Sequence, residues 1–186
     1  MKRIALVFTF ASTLSCLSAQ AVEYTQVLPE RSTIHFTYQQ MGVTVEGRFN
    51  RFAGQLSFDP AKPTAAKAAF EVDLASVDTG VPDGDQEVAG KPWFNTRAFP
   101  SARFTSASVR ALGGNRYEVL GKLTLKGRTQ DVVVPATFTA QGSAAVFDGS
   151  FTLRRADFSI GEGAWAKFDV VANEVQVRFR ITANSK

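Results

Sequence analysis

Between Tyr117 and Pro135 the chain reads YEVLGKLTLKGRTQDVVVP, and apolar and polar residues alternate on both sides of Lys126-Gly127. Tyr117, Val119, Leu123 and Leu125 stand against Glu118, Lys122 and Thr124. Beyond the turn, Val132, Val134, Ala136 and Phe138 stand against Asp131, Val133 and Thr137. Period two on either side of a glycine turn predicts an antiparallel hairpin with one buried face. The pattern recurs along the chain. A run of such hairpins hides its apolar faces economically by closing on itself, which also removes exposed sheet edges. The expected fold is therefore all-β, a single antiparallel up-and-down barrel. Its interior is either packed solid or hollow enough for an apolar ligand.

The remaining segments extend the prediction to eight strands. Ser32–Gln39 puts Ile34, Phe36 and Tyr38 on one face and His35, Thr37 and Gln39 on the other. Val43–Phe58 reads as one long bent strand, with Gly47 and Gly54 suggesting a bulge or sharp coil where a barrel turns a corner. Ala68, Phe70, Val72 and Leu74 form the next stripe, and Phe104–Arg110 leads into the turn Gly113-Gly114-Asn115. After the opening hairpin, Phe147, Phe151 and Leu153 alternate with Asp148, Ser150 and Thr152; Val175, Val177, Phe179 and Ile181 alternate with Glu174, Gln176, Arg178 and Arg180. Two segments break the period. Val81–Phe99 predicts one short helix over Asp85–Ala89, followed by Trp93-Phe94 as a packing anchor. Arg155–Lys167, RADFSIGEGAWAK, predicts a long Gly-containing loop near the barrel mouth, and long connections of this kind often carry function.

The first 21 residues read as a secretory signal peptide: Met1-Lys2-Arg3, an apolar run from Ile4 to Leu17, and Ala19-Gln20-Ala21 as the cleavage site, with the cut after Ala21. The run is too short for a comfortable membrane span. The expected mature domain is residues 22–186, a size that suits one core, and the expected location is the periplasm. Cys16, the sole cysteine, lies inside the signal; Thr13-Leu14-Ser15 before it matches a lipoprotein site poorly. Without disulfides, stability must come from the core and the closed sheet. Lys2 and Arg3 leave with the signal, so the 21 basic residues lose two and nearly balance the 17 acidic ones. With no basic run or basic helix, nucleic acid is not an expected partner.

No catalytic residue, metal ligand set or cofactor motif is evident. His35, the one histidine, lies opposite the apolar stripe of its strand and reads as a surface residue. No serine lies in a nucleophile turn to use it, and one His without Cys makes a poor zinc site. Asp83, Asp85 and Glu87 alternate like calcium ligands but lack the rest of such a loop; acidic residues at a helix start explain them. The aromatics are more informative. Phe36, Phe49, Phe58, Phe70, Phe104, Phe138, Phe151 and Phe179 all fall on the apolar parity of a strand. An eight-stranded barrel is just wide enough to be filled or to hold one small ligand. A lining of long rings with few polar residues suits a thin apolar chain. The expected cavity wall comprises Ile34, Phe36, Tyr38, Phe49, Phe58 and Phe70, then Phe104, Tyr117, Leu123, Leu125, Phe151, Trp165 and Phe179. Arg48 and Arg51 flank the bend, Lys167 closes the late loop, and Arg154 and Arg155 open it as candidate contacts for an anionic head group.

Several of these pieces occur together in one family. They are Ser32-x-Ile34-x-Phe36, Met41-Gly42-Val43, Gly47-x-Phe49, Phe52-x-Gly54, Val77-x-Thr79-Gly80, Asp85-x-Glu87-Val88 and Trp93-Phe94. Phe99-Pro100-x-Ala102-x-Phe104-x-Ser106, the run Gly121 to Thr129, Arg155-x-Asp157-Phe158 and Gly161-x-Gly163-x-Trp165 complete the set. In this order and spacing the chain resembles the YceI-like family of exported bacterial proteins over essentially its whole mature length. The resemblance implies a lipocalin-like eight-stranded barrel that binds a long isoprenoid chain, such as a polyprenyl phosphate or a quinone tail, and it allows a homodimer. Two positions depart from many relatives: Gln40 stands where a His is common, and Asp85-Gln86-Glu87-Val88 stands where Asp-x-His-Leu is common.

Four functions compete at this point. The leading one is a periplasmic lipid carrier. A small outer-membrane barrel would need spanning strands of about 9–11 residues with an apolar outer side, and most stripes here are shorter. An enzyme acting on a lipid or quinone would need a base or redox centre that the sequence does not supply. A solid barrel would act through its surface, for example under envelope stress.

Overall fold

The computed structural model describes residues 22–186; the expected signal peptide, residues 1–21 with Cys16, lies outside the described residues. The alternating segments become eleven strands of one antiparallel sheet. They are β1 (Tyr24–Val27), β2 (Thr33–Gln40), β3 (Val43–Phe49), β4 (Phe52–Ser57), β5 (Lys67–Asp73) and β6 (Val77–Asp78), then β7 (Ser101–Gly113), β8 (Arg116–Leu125), β9 (Arg128–Gln141), β10 (Ala144–Arg154) and β11 (Val171–Ser185). Neighbours follow the order β4-β5-β7-β8-β9-β10-β11-β2-β3-β6, and β1 pairs with β11. Additional bonds bring the ends of this path together. The Asp73 amide donates to the Arg51 carbonyl (3.0 Å), the Asn50 amide to that of Ser76 (3.0 Å), and Tyr24 and Phe58 exchange two backbone bonds of 2.9 and 3.1 Å. The sheet thus curls round a central interior.

Eleven strands replace the expected eight. Val43–Phe58 is two strands, because at Asn50–Arg51 the chain leaves its ladder with β2 and joins β5. β1 and β6 have four and two residues, too few for a period to be read. They form because tertiary partners wait for them, Val27 opposite Ala183 and Phe49 opposite Val77. Gly47 and Gly54 mark neither a bulge nor a corner, since both sit in register opposite Phe36 and Phe70.

The β8–β9 hairpin closes as its sequence predicts. Lys126 and Gly127 both take positive φ (48° and 74°), as a two-residue type I′ turn requires. The helix α1 spans Pro82–Ala89, three residues earlier than expected. Pro82 accounts for this: in the first turn its missing N–H leaves no bond unmade. Arg155–Lys167 is more ordered than a plain loop, with single 3-10 turns at Arg155–Phe158 and Gly163–Trp165.

Buried residues fall into two groups. At one end Tyr24, Phe58, Tyr117 and Phe138 pack with Ala145 and Ala183, and Phe147 leans against them. Phe58 is the hub, with ring centroids 5.2 Å from Tyr117 and 5.1 Å from both Phe138 and Phe147. At the other end Trp93, Leu123, Leu125, Phe158 and Ile160 form the second group, beside α1.

Candidate ligand-binding cavity

Between the two packed groups lies a cavity of about 770 Å³, within the range of small-molecule sites. Along β11 its wall runs from Val171 to Ile181, roughly 33 Å of strand at ~3.3 Å per residue. Tilt in a curled sheet shortens that to about 25 Å of depth. The aromatic group around Phe58 plugs the deep end. At the other end the lining includes the exposed residues Val81, Asp83 and Glu87, which mark the mouth.

All thirteen residues expected on the wall line this cavity: Ile34, Phe36, Tyr38, Phe49, Phe58, Phe70, Phe104, Tyr117, Leu123, Leu125, Phe151, Trp165 and Phe179. Strand parity carries twelve of them there, because one face of each ladder points inward, and Trp165 arrives from the 3-10 turn Gly163–Trp165. Phe138, on the same parity, lies in the plug behind Phe58. Sequence reasoning missed the contribution of α1. Gly84, Glu87 and Val88 line the mouth, a spacing of three and four that puts them on one helical face. An eight-residue helix gave too little period to reveal this.

Four glycines shape the wall. A Cβ at Gly47, Gly54, Gly121 or Gly149 would collide with the rings of Phe36, Phe70, Phe104 and Phe179 respectively. Because these positions carry no side chain, each ring lies flat on the neighbouring strand instead of projecting inward. The bore stays open and aromatic.

The mouth is built from three connected clamps. Glu87 Oε1 accepts from the indoles of Trp93 (3.2 Å) and Trp165 (2.7 Å), whose rings are 5.5 Å apart. Asp85 Oδ1 accepts from the Thr79 amide and hydroxyl, both at 2.7 Å, and ties α1 to the chain before it. Lys126 Nζ donates to the carbonyls of Ser159 (2.6 Å) and Pro92 (3.3 Å) and pairs with Glu162 at 2.8 Å. Thus Asp85 and Glu87 have separate roles, and Asp83 lies in the first turn of α1. Among the described residues no group of three or more His, Cys, Asp or Glu could hold a metal ion.

The two arginines expected to hold a head group do something else. Arg155 lines the cavity but is only 2% exposed. Its Nε, Nη1 and Nη2 donate to the carbonyls of Ala172, Ile160, Gly161, Trp165, Lys167 and Val171 at 2.8–3.2 Å. Its guanidinium carbon sits 5.4 Å from the Trp93 ring and 5.0 Å from that of Phe168. Burial lowers its pKa, and the carbonyls offset part of that desolvation. No N–H is left for a ligand. Arg154 does not line the cavity; it pairs with Asp157 at 3.1 Å.

Outside, the sheet is charged. Arg180–Asp148 (2.7 Å), Arg103–Glu71 (3.1 Å) and Lys122–Asp131 (2.8 Å) pair across neighbouring strands, and Arg178 of β11 reaches over β2 to Glu46 of β3 (2.9 Å). Arg48–Asp78 (2.8 Å) and Arg51–Asp73 (2.7 Å) flank the β3–β4 break. His35 belongs to this outer layer, with Nδ1 3.6 Å from Glu46. Among the described residues no helix is long and apolar enough to cross a membrane.

Comparison with known proteins agrees with this architecture. The family model for the YceI-like domain matches residues 26–183. A UPF0312 protein of Pseudomonas savastanoi pv. phaseolicola is 31% identical over 167 residues, covering 86% of this chain and 87% of that protein. The crystal structure of BcnA from Burkholderia cenocepacia superposes with a TM-score of 0.84 at 39% identity, covering 86% of this chain and 100% of that one. A polyisoprenoid binding domain from Saccharophagus degradans shares the fold, with a TM-score of 0.68 at 17% identity over 90% of this chain and 100% of its own. The chain belongs to the YceI-like family.

Proposed function

We propose that this protein is an exported, periplasmic carrier that shields a long apolar lipid of isoprenoid type inside its sheet. The observation that carries the reading is the deep apolar cavity with an aromatic wall. The shared fold of the polyisoprenoid binding domain from Saccharophagus degradans supports it. Counting β3 with β4 and β5 with β6 as bent strands, and β1 apart, we read the curled sheet as eight staves, with the 155–167 segment over the mouth. Binding works by burial. At about 25 cal/mol per Å², a chain burying ~400 Å² of its own surface gains about 10 kcal/mol, comparable to the 4–15 kcal/mol that association costs. Longer tails gain more.

The distribution of charge argues against a barrel set in the outer membrane. Such barrels are apolar outside and polar within; here the outer face carries the ion pairs and the inner face the phenylalanines. Native mass spectrometry of gently purified protein tests the proposal. A bound species with the mass of a prenyl lipid is the expected result. Recovery of bare protein, with no shift in melting temperature on adding quinones or prenyl phosphates, would overturn it.

A further inference from the structure

The polar groups of the cavity gather at its mouth, and the exposed charges that line it there are both carboxylates. Asp83 and Glu87 are carboxylates, and both indole bonds to Glu87 end on Oε1, leaving Oε2 without a partner among the described residues. Neutral donors stand beside them. The Tyr38 hydroxyl and the Gln40 amide sit two residues apart on the inward face of β2, and neither bonds another described residue. Burial pushes the Tyr38 phenol up, so it keeps its proton. The cations offer nothing to a ligand. Arg155 is saturated by carbonyls and Lys126 is held by Glu162 and two carbonyls. Lys67, which also borders the cavity, sits on the outward parity of β5 beside Ala66 of the deep plug.

We infer that the cavity selects a lipid whose head group is uncharged and accepts hydrogen bonds, such as the carbonyl of a quinone, over one ending in phosphate. This rests on the lipid-carrier reading above. Tyr38 and Gln40 would donate to the head group. A phosphate would bring up to two negative charges to a mouth whose exposed lining charges are two carboxylates and whose buried cation, Arg155, has its N–H groups already bonded to carbonyls. Entering a partly desolvated site unpaired is costly for any anion.

The test uses three ligands with one prenyl tail, ending in a quinone, an alcohol and a phosphate, titrated into delipidated full-length protein by tryptophan fluorescence. The quinone and the alcohol are expected to bind within a few-fold of each other. The phosphate is expected to bind at least tenfold more weakly, and added salt should narrow that gap. The Glu87→Gln, Asp83→Asn double variant should narrow it too, since Gln still offers an acceptor to the two indoles. Tyr38→Phe should weaken the quinone several-fold. A phosphate that binds as tightly as the quinone, in the unmodified protein at low salt, overturns the head-group inference and leaves the carrier reading standing. Binding of none of the three overturns both.

Discussion

Phe70 rests on Gly54 with only its own ring in the way of a Cβ there. Gly54→Ala should therefore tip the ring into the cavity without disturbing the backbone. Overpacking costs typically 1–3 kcal/mol, and an emptied cavity gives room for the ring, so the loss of stability should be near 1 kcal/mol. Ligand affinity should fall about tenfold. Isothermal titration of Gly54→Ala against Gly54→Ala/Phe70→Leu checks this, because the smaller side chain should restore the bore. Gly149 would be a poorer choice, since a Cβ there also meets the Pro135 carbonyl. Arg155 is the other decisive residue. Arg155→Leu would leave six carbonyl bonds unmade around a buried side chain, and a lost buried network costs roughly 3 kcal/mol or more. Denaturant unfolding should show this as a lowered midpoint, with proteolysis appearing first between residues 159 and 170.

At the scale of elements, the β8–β9 hairpin does more than close a ladder. Its turn holds Lys126 in a left-handed conformation that a non-glycine residue adopts only at some cost. From there the side chain reaches both mouth segments. Lys126 beside it holds the Glu162 carboxyl below its ordinary value of 4.5. The stabilisation from this pair is full above that ordinary value and disappears as pH falls through the lowered one. Glu71, lowered by Ser101 and Arg103, and Asp78, lowered by the Gly80 amide and Arg48, follow the same sign. Unfolding midpoints from pH 7 to pH 3 should thus decline on the acid side. The deficit of Glu162→Gln should be present at pH 7 and vanish at the acid end; an unchanged deficit would remove the pair from the account. The strands of this hairpin were legible in the sequence because one residue in two is buried. The clamp was not, because most of what Lys126 and Arg155 bind is backbone carbonyl, and no side-chain pattern announces a carbonyl. The same holds for Arg154 and Arg155 as head-group ligands: two adjacent arginines look alike in sequence, yet one is saturated inside and the other paired outside. Gly47 and Gly54 were visible as exceptions to the strand pattern, but their cause, a phenylalanine ring on the next strand, is a cross-strand fact.

For the whole molecule, the question posed by alternation alone was whether the interior is solid or hollow. Parity put twelve of the thirteen residues on one surface, and both answers need that surface; the cavity between the two packed groups distinguishes them. Val177 lines it midway along β11. Val177→Trp in a solid core would cost 1–3 kcal/mol or more. In this interior the indole should be accommodated, with a melting temperature within a few degrees of the parent and no lipid recovered by mass spectrometry. The aromatic plug around Phe58 has a further consequence, for traffic. A tube stopped at its base is a blind alley, and a single-file occupant cannot be pushed out from behind. An incoming lipid must wait for the resident to back out by the way it came. Exchange of a labelled for an unlabelled ligand should then proceed at one rate however much competitor is present, and a rate that climbs with competitor concentration would mean that the alley has a second door.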